Sequence, residues 1–314
     1  MDYKNFLRVV EKQIKQRMTE GMTASLYKEG KNNGTKRVGI AIKEPEAMSS
    51  PIIYLEEFYQ NYCNGQPIIQ IVDEILDLYN DNKSGKELLL NPNDILTYEN
   101  VKSRIMIKLI NTERNGSYLE NAPHKSFMDM SLIFYVACRI TENEIASMGI
   151  TNAHKNIWNV TTEVLWKDAV RNAPIFFPAE LHTMESELSR LIEVIGCSPE
   201  ISCQNWYPRN LIEEHTDEKD DMYILSNSLR CYGAACIAYP GIADTIGEIV
   251  ARDYYIIPSS VHEVIILPCA EGINAEDINA LIQDVNKNLV SEEEILGEHC
   301  YMYSQRKKRI IEMR

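Results

Sequence analysis

A short cluster of hydroxyl, imidazole and carboxylate groups is the part of the sequence best suited to nucleophilic or acid–base chemistry. It reads Pro258-Ser-Ser-Val-His-Glu263, and Asp253 lies just upstream. In many hydrolases and transferases a serine hydroxyl attacks the substrate, a histidine takes its proton, and a carboxylate orients the histidine. The cluster could supply Ser259 or Ser260, His262 and Asp253 for these three roles.

The expected local structure opposes most of that arrangement. Successive side chains of a β-strand point to opposite faces, so His262 would point with Val264 and Glu263 would point with Ile265. The run HEVII lacks the second histidine of the zinc-binding HExxH motif, and no G-x-S-x-G elbow surrounds either serine. We therefore favour a hairpin turn at residues 258–260 and a hydrogen-bonded strand position for His262.

Polar residues near predicted strand ends form a second group of candidates, because binding residues often gather in such loops. His124 and His154 could each contact a metal or a substrate, and His124 with Asp129 is a second possible catalytic pair. The six histidines show no ligand spacing, so we predict no metal site. The residues predicted for binding are His124, Asp129, Asn152, His154, Ser259 and Glu263.

Net charge and missing motifs exclude several classes of function. The 314 residues carry a formal net charge of −14, so the averaged field repels nucleic acid. Neither G-x-x-x-x-G-K-[ST] nor G-x-G-x-x-G occurs, and we predict no cofactor. The acidic run at 217–221 is expected to be a solvated loop, and the basic tail at 306–309 is expected to be solvated or to contact the protein's own acidic face. A protein or a small molecule is the expected partner, and the sequence leaves the oligomeric state open.

The eight cysteines and the first residues predict a cytoplasmic protein. No two cysteines form a CxxC pair, and Cys138 and Cys236 lie in apolar runs, where a free thiol behaves as a small hydrophobic group. Residues 1–18 lack the apolar core of a signal peptide, and no run approaches the 18 apolar residues of a membrane span. We therefore expect reduced, mainly buried thiols and no membrane association.

Apolar periodicity predicts an α+β fold with mixed or mainly antiparallel sheets and flanking amphipathic helices. A hairpin turn is expected at 30–34, where asparagine and glycine tolerate positive φ. Predicted helices cover residues 6–18, 50–63, 67–79, 161–172, 184–195 and 275–289, with a short one from Ser291. The predicted N-cap of the helix at 275–289 is Asn274. Predicted strands cover residues 22–29, 36–43, 104–110, 130–140, 146–152 and 300–304. The strand at 130–140 is apolar on both faces, so it is expected in the middle of a sheet.

The predicted domain organisation has two parts. Residues 1–196 form an N-terminal α+β part, and residues 197–221, with two prolines and an acidic run, form an irregular connecting segment. Residues 222–314 form a C-terminal α+β part with a ββαββα core. The two parts could also pack as one unit.

Several phrases of this sequence resemble a family of uncharacterised bacterial proteins, a domain-of-unknown-function family typical of anaerobic gut bacteria. The phrases are KNNG at 31–34, PIIYLEEFY at 51–59, APHKSFMDM at 122–130, MYILSN at 222–227 and IIPSSVHEVIILP at 256–268. The resemblance runs across nearly the whole chain and implies a bacterial, cytoplasmic protein. It implies no activity, so it assigns no catalytic residue.

Two functions from different classes fit these observations. The favoured one is a non-catalytic binding or regulatory protein, because the predicted fold is complete without an acid–base constellation. The alternative is a small-molecule hydrolase or transferase that uses His262 with Ser260.

Overall fold

Three antiparallel sheets and their flanking helices give the chain an α+β fold, which confirms the predicted fold class. The structure is a computed structural model that describes residues 1–45, 50, 52–83, 94–140, 145–194, 210–214 and 220–313. The chain divides into two units, Met1–Pro92 and Asn93–Arg314.

The first unit is a three-stranded sheet with helices packed against it. The strand order is β1-β2-β3, and Phe6 and Val10 of the first helix share a buried cluster with Ile40, Ile71 and Ile75. These apolar side chains recur every three or four residues along the helices, as expected for one buried face. The elements are α1 (Tyr3–Arg17), β1 (Thr23–Gly30), β2 (Lys36–Lys43), β3 (Ile52–Tyr54), α2 (Glu56–Cys63) and α3 (Ile68–Lys83).

The predicted hairpin between β1 and β2 is confirmed, and Asn33 and Gly34 adopt positive φ in its turn.

The helix predicted from Ser50 is wrong in its first half. The Ser50 hydroxyl donates to the carbonyl of Ile42, and Ile53 pairs with Ile40, so this segment extends the sheet as β3. Its β-branched residues suit a strand, and the helix begins only at Glu56.

The second unit contains a four-stranded and a six-stranded sheet. Its first elements are α4 (Tyr98–Val101), β4 (Ile105–Asn111), α5 (Gly116–Leu119), β5 (His124–Phe127), β6 (Met130–Ile140), β7 (Ile145–Gly149), α6 (Asn152–Ile157), α7 (Thr162–Phe176), β8 (Ala179–Thr183) and α8 (Met184–Val194). The remaining elements are α9 (Leu211–Glu214), β9 (Tyr223–Asn227), α10 (Ile242–Val250), β10 (Tyr254–Ser260), β11 (Glu263–Pro268), α11 (Ala275–Asn288), β12 (Tyr301–Ser304) and β13 (Arg309–Glu312).

Strand β6 is the centre of the four-stranded sheet, as its continuous apolar run predicted. It pairs with β4, β5 and β7, and the side chains from Met130 to Ala137 are all buried. A strand that is covered on both faces needs apolar residues at successive positions. The predicted strand at 146–152 ends at Gly149, and Asn152 begins α6 instead.

The six-stranded sheet has the order β13-β12-β10-β11-β9-β8. In it β8 pairs with β9, although the two strands lie on either side of the predicted connecting segment at 197–221. Most of that segment lies outside the described residues, so the predicted boundary stays a prediction. The basic residues at 306–309 are exposed, as predicted for a solvated tail, and Lys308 also lies 3.8 Å from the Asp244 carboxylate. From Arg309 the chain continues as β13, which pairs with β12.

The predicted ββαββ core differs from the structure at its second strand. Residues Gly233–Ala238 form a buried 3-10 helix, in which small side chains let the backbone pack tightly. An apolar run of this length does not by itself distinguish a strand from a tight helix. The helix predicted from Ser291 is a turn, whereas α11 and its predicted N-cap Asn274 are confirmed.

The hairpin turn predicted at residues 258–260 lies two residues further on. β10 continues to Ser260, and the turn is formed by Val261 and His262, so His262 is not a strand residue. The register between β10 and β11 shifts between Pro258 and Ser260. A proline, which has no N–H to donate, is tolerated at such an irregularity.

The described thiols are all free, but they differ in burial. Cys236 and Cys300 are buried as predicted, whereas Cys63 is exposed. Burial raises the pKa of the Cys236 thiol to about 12. Cys197 and Cys203 lie outside the described residues.

None of the helices that the structure describes is both long enough and apolar enough to cross a membrane.

Candidate functional site

A polar cleft of about 690 Å³ lies in the second unit, among the residues that the structure describes, and is a candidate binding site. It is formed by the loop after β4, the turn between β5 and β6, and the segment before β12. Among the residues predicted for binding, Asp129 lines it. The cleft, called the Asp129 cleft below, is further lined by Asn111, Thr112, Glu113, Arg114, Glu298 and His299.

The position of Asp129 is fixed from the six-stranded sheet. The hydroxyl of Tyr301 on β12 donates a short hydrogen bond to the Asp129 carboxylate. Tyr301 is fully buried, and Met128 adopts a positive φ of 56° in the turn just before Asp129. A carboxylate held by a buried hydroxyl keeps its second oxygen in a defined direction, which suits recognition of a ligand.

Arg114 joins the loop after β4 to the segment before β12. Its Nη2 lies 2.9 Å from the Glu298 carboxylate, and its Nη1 bonds to Glu292. The hydrogen bond to Glu298 and the charge of Glu292 raise the pKa of the guanidinium. Arg114 therefore lines the cleft as a charged side chain that already has two ion-pair partners.

Asn111 orients this loop from the end of β4. Its Oδ1 accepts a 2.9 Å hydrogen bond from the backbone N–H of Arg114, and its Nδ2 donates at 3.2 Å to the carbonyl of Leu296. One amide side chain thus fixes both segments that carry the charged groups of the cleft.

His299 has a buried ring nitrogen with an unused hydrogen-bonding capacity. Its Nδ1 is inaccessible to solvent and has no partner among the described residues. An unpaired buried polar atom costs about 1–3 kcal/mol, so such atoms usually meet a ligand or an ordered water. His299 lines the same cleft as Asp129, but this nitrogen is not exposed to it.

The charges of the Asp129 cleft are unequal. Glu113, Asp129 and Glu298 contribute three carboxylates, whereas Arg114 is the one lysine or arginine among its described lining residues. Arg114 already bonds to Glu298 and, outside the cleft, to Glu292. The remaining field favours a positively charged ligand or one rich in hydrogen-bond donors.

A second cleft of about 530 Å³ shares Arg114 and Glu298 with the first. It is called the Lys287 cleft below, after the lysine near the end of α11 that lines it. Asn286 closes its floor by donating a 2.9 Å hydrogen bond to the carbonyl of Gly297. The Arg114–Glu298 ion pair therefore stands between two polar cavities.

His262 occupies a separate, partly buried position. Its Nδ1 accepts a 3.3 Å hydrogen bond from the backbone N–H of Tyr232, and its ring stacks on the Tyr232 ring with centroids 5.8 Å apart. Its Nε2 lies 3.8 Å from the Glu294 carboxylate. Burial lowers the pKa of His262, and the neighbouring Lys108 lowers it further while Glu294 raises it. The His262 ring, with its Nδ1 already hydrogen-bonded, therefore lies beside a glutamate.

The structure does not bring His262, Ser260 and Asp253 together as a triad. The Ser260 hydroxyl accepts a 3.0 Å hydrogen bond from the backbone N–H of His262 rather than one from the ring. The Asp253 carboxylate accepts from the backbone N–H of Gln305 and precedes β10, whereas His262 follows it. A strand of that length separates its ends by roughly 20 Å.

Three further candidates have structural bonds of their own. The His154 ring accepts from the backbone N–H of Thr151 at 3.1 Å and completes a capping box at the start of α6. Asn152 donates to the carbonyl of Glu120 at 3.2 Å. His124 is exposed and bonds to the carbonyl of Ala122, and it does not line the cleft that holds Asp129.

Glu263 and Ser259 belong to a network on the six-stranded sheet. The two side chains share a hydrogen bond, and Glu263 lies in the field of Arg230, Glu187 and Arg190. Burial is the largest influence and raises the pKa of Glu263. In the part of the chain that the structure describes, no three histidine, cysteine or carboxylate side chains are placed to hold a metal ion.

Comparison with known protein families gives a match over nearly the whole chain. Residues 3–305 match a family of unknown function, DUF5688. The chain belongs to the DUF5688 family. No curated protein matches it, and no solved structure does.

Sequence reasoning missed most of the DUF5688 protein's Asp129 cleft. Arg114 and Glu298 are 184 residues apart in sequence, and Asp129 and Tyr301 are 172 residues apart. Neither pair belongs to a motif with a fixed spacing. The available signal was local: the run APHKSFMDM places Asp129 in a short polar turn before a buried strand.

The raised pKa of Glu263 gives a testable pH dependence. The folded state keeps this proton to higher pH than the unfolded chain, so the stabilisation is present at low pH and is lost as pH rises through the raised pKa. Glu263→Gln carries no charge at any pH. Relative to the wild type, its free energy of unfolding should therefore improve as the pH is raised from about 4 to about 8. Denaturant titrations at several pH values measure this, and a constant difference between the two proteins would contradict it.

Proposed function

We propose that this DUF5688 protein is a non-catalytic binding protein that holds a small, amine-bearing ligand in the Asp129 cleft. The observation that carries the proposal is the charge of the cleft. Three carboxylates line a cavity of about 690 Å³, and its arginine is already bonded to two glutamates. A regulatory role would follow if the bound ligand alters an interaction of the protein with a partner.

The expected contacts follow from the donors and acceptors of the cleft. An ammonium group offers three N–H donors, and it would bond to the Asp129 carboxylate and to Glu113 or Glu298. Such charge-assisted hydrogen bonds are roughly twice as strong as neutral ones.

The contacts of the hydroxyl groups support binding over catalysis. The hydroxyl of Thr112, which lines the cleft, bonds to the Ser131 hydroxyl, with the two oxygens 2.8 Å apart. A hydroxyl is not a general base, so this bond does not activate Thr112 as a nucleophile. The alternative, a hydrolase or transferase that uses His262 with Ser260, has less support. Ser260 is bonded to a backbone N–H, and so is Nδ1 of His262. A nucleophile and its base would instead bond to each other.

Asp129→Asn tests the proposal by titration calorimetry of the full chain with 1,4-diaminobutane and, separately, with succinate. The wild type should bind the diamine and not the dicarboxylate. Asparagine can still accept from Tyr301, so the fold should persist while diamine affinity falls about tenfold, the equivalent of about 1.4 kcal/mol.

Glu120→Gln is the matched control, because Glu120 is an exposed carboxylate that does not line the cleft. It should leave the diamine affinity unchanged. Binding of succinate in preference to the diamine, or equal diamine affinity in wild type and Asp129→Asn, would refute the proposal.

A further inference from the structure

The Lys287 cleft differs in charge from the Asp129 cleft on the other side of their shared wall. Lys287 and Arg114 contribute two cations to it, against the carboxylates of Glu292 and Glu298. Both of these carboxylates already bond to Arg114. In the described part of the chain, the Lys287 amino group has no hydrogen bond or ion pair. Lys287 is thus a cation that a ligand could neutralise.

The two clefts favour ligand groups of opposite charge, and they lie close together because they share a wall. Arg114 and Glu298 line both clefts, and they are joined at 2.9 Å. The outer partner of Arg114, Glu292, is 60% exposed and lies on the Lys287 side. An anionic group that enters there meets Lys287 and the Arg114 guanidinium, whose bond to Glu292 is the more exposed of its two ion pairs. Exposed ion pairs are weak and are readily exchanged.

We infer that the ligand is dipolar: a small molecule whose amine binds in the Asp129 cleft and whose carboxylate binds in the Lys287 cleft. This inference rests on the proposed function for the amine end and adds the anionic end. The chemical class it selects is that of ω-amino acids, in which a flexible chain separates an ammonium from a carboxylate. A diamine would lack the carboxylate that contacts Lys287, and a dicarboxylate would lack the ammonium that contacts Asp129.

The experiment is calorimetric titration of the full-length protein with ω-amino acids of increasing chain length, from 3-aminopropanoate to 8-aminooctanoate. Each is compared with the alkylamine of the same chain length, which lacks the carboxylate. In the wild type, the best amino acid should bind about fivefold more tightly than its amine, as expected for one partly exposed ion pair.

Lys287→Gln should remove this fivefold advantage and leave the affinity for the alkylamine unchanged. The matched control is Lys167→Gln, because Lys167 is an exposed lysine without a partner among the described residues and does not line the cleft. It should retain the full advantage.

The outcomes separate the two proposals. If the amines bind through Asp129 but the carboxylate adds nothing, or if Lys287→Gln keeps the advantage, the dipolar ligand is wrong and the proposed function stands. If the amino acids bind with equal affinity to wild type and Asp129→Asn, the proposed amine site is wrong. If neither series binds, both proposals are overturned.

Discussion

Gly233→Ala should lower the free energy of unfolding of the second unit by about 3 kcal/mol or more, because the added methyl group has no space. A Cβ at this position would lie 2.6 Å from the carbonyl oxygen of His262 and 2.7 Å from the backbone nitrogen of Asn227. The Ser226 hydroxyl would be closer still. Two of these three atoms belong to the backbone of neighbouring segments, which cannot rotate away as a side chain can.

Chemical denaturation followed by tryptophan fluorescence measures this effect, because all three tryptophans of the chain lie in the sequence range of the second unit. Gly116→Ala is the control, since no atom lies within 4 Å of the Cβ it would add. It should change the unfolding free energy by less than about 1 kcal/mol. A similarly small loss for Gly233→Ala would show that the close approach at Gly233 is not rigid.

The loop before Gly233 explains why the backbone there is expected to resist relaxation. Arg230 and Tyr232 both adopt positive φ, which is unfavourable for non-glycine residues. The Asn227 side chain accepts from the backbone N–H groups of Leu229 and Cys231 and donates to the carbonyl of Cys231 at 2.8 Å. A strained loop that several hydrogen bonds hold in place has few ways to accommodate an extra methyl group.

The elements that the sequence predicted well are those whose structure depends on local periodicity. Strand β6 is apolar at successive positions and lies at the centre of its sheet. Helix α11 begins at its predicted cap, where Asn274 Oδ1 accepts from the backbone N–H of Asp277 at 2.9 Å. Both features are decided by side chains a few residues apart, so one sequence contains the information.

The elements that the sequence predicted poorly depend on tertiary packing. The apolar residues 233–238 would suit either a strand or a tight helix. In the structure they form a 3-10 helix, which packs so closely against Ser226 and Asn227 of β9 that Gly233 has no room for a side chain. The strand at Ile52–Tyr54 precedes a helical sequence and is extended because β2 offers it a free edge. Neither constraint is visible from the segment alone.

The candidate site follows the same rule. Asp129 was predicted because a polar turn before a buried strand is a common place for binding residues. Its partners in the cleft, Arg114, Glu298 and His299, come from two loops that are far apart in sequence and joined by the Asn111 side chain. A single sequence gives the chemistry of each residue but not the contact that brings them together.

Glu187→Ala should destabilise the second unit by about 3 kcal/mol, because it removes the counter-charge of two arginines. The Glu187 side chain is 6% exposed, accepts from Arg190 Nε at 2.9 Å and accepts from Arg230 Nη2 at 2.7 Å. Nη1 of Arg230 is buried and has no partner among the described residues. Without Glu187, the largely buried Arg230 guanidinium keeps its positive charge but loses the carboxylate that neutralises it.

Glu185→Ala provides a matched control on the same helix, since Glu185 is exposed and also lies in the first turn of α8. Its loss should stay below about 1 kcal/mol, the range of a helix-dipole contribution. The double variant Glu187→Ala/Arg230→Met should lose less than the sum of the two single variants, because the arginine that Glu187 neutralises is then absent. If Glu187→Ala costs no more than Glu185→Ala, or if the single losses add, then the ion pair does not stabilise the loop. The positive φ of Arg230 would then have to be held by the Asn227 hydrogen bonds alone.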